Sequence, residues 1–333
     1  MTTERPIFVV GFQRSGTTLI QALLGAHPRI ASPPETHFIF RIASLRDYYG
    51  DLADDGNLRR VLHDTVHPPV PLFDDCGFDT DALFDRARSG PRTYAAALDT
   101  VMADFARRQQ KDRWCEKTPG QLAAEVFDLC PSAQVVHIVR DPRDVVASSL
   151  ETPWTRGDAA AVARHWRQFT LSNVRGGRVR GPGSMLQIHY EDLTSDPEPV
   201  LRVVCAFLGE DYVPEMLSDP GRRRPTVAAA VAPWQGRALE PVSPNSQGTW
   251  RSRLGRLDRI RVAGIVADML GPLGYEPARP RSVALGRVVN FSLGLRPKRK
   301  PRRGRGRLSS QERYERIQRY MAEQEHSISS ASS

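Results

Sequence analysis

Arg14, Ser15, Gly16, Thr17 and Thr18 follow one another near the start of the chain, between an apolar run and an amphipathic one. A guanidinium, three hydroxyls and a glycine, with no acid among them, can capture a tetrahedral oxyanion. The arginine fork suits bidentate contact with one phosphate or sulfate. The elements that must position these groups lie on either side. Ile7-Phe8-Val9-Val10 is short, apolar and largely β-branched, the pattern of a buried strand. Gly11 breaks it. Residues 15–26 then take helical spacing, with Leu19, Ile20, Leu23 and Leu24 on one face. A strand, a glycine-bounded loop and a helix start turn their N–H groups and the positive end of the helix dipole toward one spot.

The span from Gly11 to Thr18 has the spacing of a nucleoside-triphosphate loop, G-x-x-x-x-G-K-[ST], with one departure. Thr17 stands at the lysine position, and no lysine lies between Met1 and Phe40. That lysine normally sits on the β- and γ-phosphates; here Arg14 is the replacement cation. The loop is therefore expected to hold an anion but not a triphosphate with Mg²⁺. A second candidate grip lies downstream. The apolar run Val135–Val139 ends on Arg140, and Ser148 follows about two helical turns later. Two donors near one strand end can hold a second phosphate. The plainer reading of Arg140 is an ion pair with Asp141 or Asp144.

Arg-Ser-Gly-Thr-Thr after an apolar strand resembles the 5′-phosphosulfate loop of sulfotransferases that use 3′-phosphoadenosine 5′-phosphosulfate (PAPS). The form is closest to the tyrosylprotein sulfotransferase-like and bacterial branch; the cytosolic branch carries a lysine in this loop. The resemblance covers roughly residues 6–275. It implies that Arg14, Ser15, Gly16, Thr17 and Thr18 hold the 5′ end of the donor, and that Arg140 and Ser148 hold its 3′-phosphate. It makes Glu35, in Pro33-Pro34-Glu35-Thr36-His37, the general base for an acceptor hydroxyl, with His37 a lesser candidate. Lys117 matches a lysine that stabilises charge on the transferring sulfuryl and leaving phosphate, with Arg14 assisting. Tyr190 matches a position close to the nucleotide. Ser243 to Arg251 occupies the place of the closing nucleotide loop. The cytosolic enzymes have Arg-Lys-Gly there; this chain offers Ser243, Asn245 and Arg251.

The surrounding pattern predicts an α/β fold: a P-loop-like, mainly parallel sheet flanked by helices, in a single catalytic domain. Helices are expected over 93–110, 121–129, from Val145 onward, over 157–175, 197–208 and 250–270. Strands are expected before Lys117, over 135–139 and over 185–189. Residues 176–183 read as a loop on their glycines. Residues 46–92, acidic and Pro-rich, read as loops and short helices forming an acceptor-binding insertion or lid. Residues 218–249 read as a long loop crossing the active-site face. The catalytic domain is expected to span 1–276, with a basic, flexible tail over 277–333.

The chain has 333 residues and a formal net charge of +9, of which eight charges lie between Arg296 and Arg307 with no acid among them. The rest is near neutral, so nucleic acid is not expected as a partner. The basic tract suggests peripheral contact with an anionic membrane surface. No stretch approaches ~18 apolar residues and no secretory pattern precedes the first strand, so a cytoplasmic protein is expected, at most peripheral at the inner membrane face. Cys76, Cys115, Cys130 and Cys205 lack metal-ligand spacing, which fits a reducing compartment and a reaction without metal. The acceptor is read only as hydroxyl-bearing: a carbohydrate, a glycolipid, a small alcohol or phenol, or a peptide tyrosine. The alternatives are a kinase or NTPase with a degenerate phosphate loop, and a non-enzymatic protein that binds anionic surfaces.

Overall fold

Each of the first strand's two faces is covered by its own helical layer. In β1 (Ile7–Val10), Phe8 and Val10 point into one apolar layer and Ile7 and Val9 into the other, as the two-residue period of a strand requires. The computed structural model describes residues 5–68, 73, 76–155, 157–181, 183–219, 221–222, 236–294, 309, 311–316, 319 and 323. Among these, β2 (Ile30–Ala31), β3 (Arg113–Lys117), β4 (Gln134–Val139) and β5 (Met185–His189) join β1 in the order β2-β3-β1-β4-β5, every pair parallel. Helices Asp55–Val66, Tyr94–Arg108 and Ala123–Leu129 cover one face; Thr17–Gly25 and Pro197–Leu208 cover the other. Ala159–Arg180 and Arg256–Leu270 build a third apolar cluster around Trp166. With all strands parallel, the chain leaves β1, β3, β4 and β5 on one ledge, with the helix Tyr190–Ser195 beginning directly after β5. β1 has β3 on one side and β4 on the other, so the connections diverge there and leave a crevice at the strand ends.

The helix Ala159–Arg180 runs through the glycines expected to end it. Gly177 is there for close packing: a Cβ on it would come within 2.1 Å of Met185 Cε on β5. Within the 46–92 insertion, Asp55–Val66 is a full helix, N-capped by Asp54 and burying Leu58, Val61, Leu62, Thr65 and Val66. That is helical spacing, hidden in the sequence by the polar residues between. The helix expected over 250–270 is divided: Trp250–Arg253 is one turn, Leu254 turns inward, and an extended Gly255 caps Arg256–Leu270. Pro280–Gly294 forms a further helix against Arg256–Leu270. The two backbones nearly touch, since a Cβ on Gly286 would lie 2.0 Å from the Ile260 carbonyl oxygen. Residues 223–235 of the long loop and the basic tract 296–307 lie outside the described residues. Among the described residues, no helix is long and apolar enough to cross a membrane.

Candidate functional site

The loop after β1 is shaped by backbone that few side chains tolerate. Arg14 and Gly16 both lie in the left-handed region, at φ 64° and 91°. A Cβ on Gly16 would stand 2.4 Å from Tyr190 Cδ2, so this turn admits only glycine. Ser15 is buried, and among the described residues its Oγ has no hydrogen-bond partner. Thr17 opens the helix Thr17–Gly25, whose free N–H groups face the ledge.

At the end of β3, Lys117 is fully buried. Its Nζ donates to Thr18 Oγ1 at 3.1 Å and to Glu35 Oε1. His37 Nε2 lies 3.4 Å from the other oxygen of Glu35. Burial depresses the His37 imidazole to about 4 against the pull of Glu35, so it is neutral at pH 7. The segment carrying Glu35 is tied to β3 by a polar cluster. Thr36 and Thr118 hydroxyls donate to Glu116 Oε1 at 2.8 and 2.7 Å, Gln121 donates to Glu116 Oε2 at 2.9 Å, and the His37 N–H donates to Thr118 Oγ1 at 3.0 Å. Glu116 is buried, which raises its carboxyl above the ordinary range while the three side-chain donors oppose the rise. Sequence reasoning missed this cluster, although its signal was three hydrogen-bonding residues in Glu116-Lys117-Thr118 and Gln121 around one candidate lysine.

At the end of β4, the Arg140 guanidinium lies 4.4 Å from the centre of the Tyr190 ring. Its two terminal nitrogens donate to the carbonyls of Arg14 and Ser246 at 2.8 and 2.6 Å, while its Nε has no partner among the described residues. The ion pair open to Arg140 on sequence grounds does not form, because both neighbouring carboxylates are engaged elsewhere. Asp141 takes a bidentate contact from Arg143. Asp144 accepts from the Gly248 N–H at 2.7 Å, the Trp250 N–H at 2.8 Å and the Thr249 hydroxyl at 3.0 Å. Arg14 Nε donates to Ser148 Oγ at 3.1 Å, so the two grips meet through the loop arginine.

The late loop reaches this cluster by other groups than those singled out. Ser246 gives its carbonyl to Arg140, and Gln247 fastens the loop to Thr194 and Glu191. Ser243 precedes the short turn Pro244–Ser246, Asn245 is exposed, and Arg251 pairs with Glu276 at 2.7 Å. The structure brings together Arg14, Ser15, Gly16, Thr17, Thr18, Glu35, Lys117, Arg140, Ser148 and Tyr190. It adds Asp144, which anchors the loop over Arg140 and which reads in sequence as one more acid in an Arg-Asp-Pro-Arg-Asp run.

Residues 6–214 match the model of the sulfotransferase family. The chain belongs to that family. The matched span holds every residue of the cluster except the late loop, which rests on the structure alone. A protein-tyrosine sulfotransferase of Drosophila melanogaster is 24% identical over 281 residues, covering 81% of this chain and 52% of that protein. Protein-tyrosine sulfotransferase 1 of Danio rerio is 25% identical over 281 residues, covering 81% and 72%. The chain thus spans between half and three quarters of the length of these two relatives. Among solved structures, the sulfotransferase domain of the Synechococcus PCC 7002 olefin synthase superposes with a TM-score of 0.56 at 23% identity, covering 83% of this chain and 97% of that one. The sheet, the loop after β1 and the ledge described above are the sulfotransferase fold.

Proposed function

We propose that this family member moves a sulfuryl group from PAPS to a hydroxyl acceptor, with Glu35 as general base. The observation that carries the reading is one loop bridging two unlike anion sites. Residues 14–18 meet Lys117 and Glu35 on one side and Arg140 with Ser148 on the other. A nucleotide with charged groups on both its 5′ and 3′ oxygens needs such a pair. The residues fit the donor: among the described residues, the buried Ser15 Oγ and Arg140 Nε are donors without partners.

In this reading Glu35 removes the acceptor proton as the new sulfur–oxygen bond forms. The bond from sulfur to the phosphate oxygen breaks, and its electron pair stays on that oxygen. Lys117 and Arg14 stabilise the charge there. The Lys117–Glu35 ion pair holds both groups in place before the donor arrives; drawing the ammonium toward the leaving oxygen frees the carboxylate. His37, neutral and with a depressed imidazole, is a poor rival as base at pH 7. The positive field of two arginines, a lysine and a helix start makes a metal ion unnecessary. The names of the animal relatives support a peptide tyrosine as acceptor, with carbohydrate, glycolipid and small alcohols or phenols as the wider class. Incubation with PAPS, EDTA and a panel of tyrosine peptides, sugars and phenols, read by mass spectrometry, tests the proposal. The expected result is a product heavier by one sulfuryl group. Phosphoryl transfer from ATP with Mg²⁺, and none from PAPS, overturns it.

A further inference from the structure

The helix Pro280–Gly294 turns an apolar stripe outward. Its exposed positions are Arg281, Ala284, Leu285, Val288, Phe291 and Ser292 on one face, with Arg287 beside them. Leu285, Val288 and Phe291 are 49%, 61% and 68% exposed, and Leu257 on the neighbouring helix is 56% exposed. Of the eight large hydrophobics exposed among the described residues, these four share one helical pair, so the exposure is concentrated there. The opposite face explains the orientation. Gly264 and Gly286 bring the two backbones into contact, and the Asn290 side chain donates to the Arg261 carbonyl at 2.9 Å. A helix pinned this closely cannot roll to hide its outer stripe.

Charge selects the occupant. From residue 277 to residue 308 the sequence holds eleven Lys and Arg and no acid. Three of them, Arg279, Arg281 and Arg287, are exposed on or next to the helix, and eight follow it directly. An apolar stripe flanked by cations is the pattern of a helix lying in a membrane interface. A nucleic acid would meet the cations but offer nothing to Leu285, Val288 and Phe291. We propose that this face docks the protein on an anionic lipid bilayer, with Leu285, Val288 and Phe291 entering the headgroup boundary and the basic residues meeting lipid phosphates. Each basic residue held near such a surface raises partitioning about fivefold.

Flotation of the full-length protein with vesicles tests this, using neutral phosphatidylcholine against the same lipid containing phosphatidylglycerol. Binding is expected to be at least about tenfold stronger to the anionic vesicles and to weaken with salt. A triple variant, Leu285→Ser, Val288→Ser and Phe291→Ser, is expected to lose at least about tenfold of that binding with its melting temperature unchanged, because all three side chains face solvent. Equal binding to both vesicle types overturns the proposal. So does undiminished binding of the triple variant. Duplex DNA binding that outcompetes the vesicles and survives the triple substitution assigns the charge to nucleic acid instead. A dimer by light scattering that the triple variant abolishes, without vesicle binding, makes the face a contact between copies.

Discussion

The ends of β3 and β4 both carry a buried cation to the same ledge, yet they treat it oppositely. At β3, Lys117 is paired with the carboxylate of Glu35. At β4, Arg140 rests against the Tyr190 ring and donates to two carbonyl oxygens, because Asp141 and Asp144 are drawn away by Arg143 and by the late loop. A paired cation and acid can exchange partners and move a proton. An arginine surrounded by neutral acceptors keeps its charge for an anion that arrives with the ligand. Under the proposed function, the difference separates a chemical end from a binding end within one crevice.

Substitutions that act on one end alone test that division. Glu35→Gln keeps shape and hydrogen bonding but removes the base, and turnover is expected to fall roughly 10²–10⁴-fold with donor affinity within threefold. Steady-state kinetics against calorimetry separates the two effects; near-normal turnover moves the base to His37. Arg140→Ala is expected to weaken binding of 3′-phosphoadenosine 5′-phosphate about 10–100-fold, the worth of a charged hydrogen bond. Binding of adenosine 5′-phosphosulfate, which lacks the 3′-phosphate, is expected to be unchanged; equal losses for both ligands would merge the two ends. Asp144→Ala leaves the Gly248 and Trp250 N–H groups without their acceptor and is expected to cost about 1–3 kcal/mol in urea unfolding. An unchanged midpoint would show that the loop is held by Gln247 and by Arg140 on the Ser246 carbonyl.

The mildest test is acid. His37 and His137 are buried and held near 4, below the ordinary imidazole value of 6.5. The unfolded chain takes up their protons first, so the stability they contribute is present above pH 6.5 and is lost as pH falls toward 4. Glu116 and Glu191, raised by burial, work against that loss. Comparing His37→Asn with the parent isolates the histidine. The variant is expected to lose less stability than the parent between pH 6.5 and 4, and parallel curves would refute a neutral His37.

The parts of the fold legible in the sequence are those where period and punctuation agree. Ile7–Val10 and Gln134–Val139 are largely apolar runs ended by loop residues, and each is a strand. Where glycine serves packing and not chain reversal, the same punctuation misleads, as at Gly176 and Gly177. The loop 11–18 and Arg140 with Ser148 stand out in the sequence because their residue types suit anion contact, and the structure brings them together. Asp144 does not, because its partners Gly248, Thr249 and Trp250 lie far away in the chain; the Glu116 cluster is half legible, with Thr118 and Gln121 close by in sequence but Thr36 distant. The late loop shows the same limit. Its contact with Arg140 is made by the Ser246 carbonyl, a group that every residue carries and no sequence pattern marks.

The central claim is that the crevice has two anion ends joined by one loop. Titration calorimetry of 3′-phosphoadenosine 5′-phosphate against ATP, each in EDTA and in Mg²⁺, tests it most directly. The bisphosphate is expected to bind at least about tenfold more tightly than ATP, since a lost charged contact costs a few kcal/mol, and to do so equally well in EDTA. ATP binding that is tighter and requires Mg²⁺ would contradict the claim.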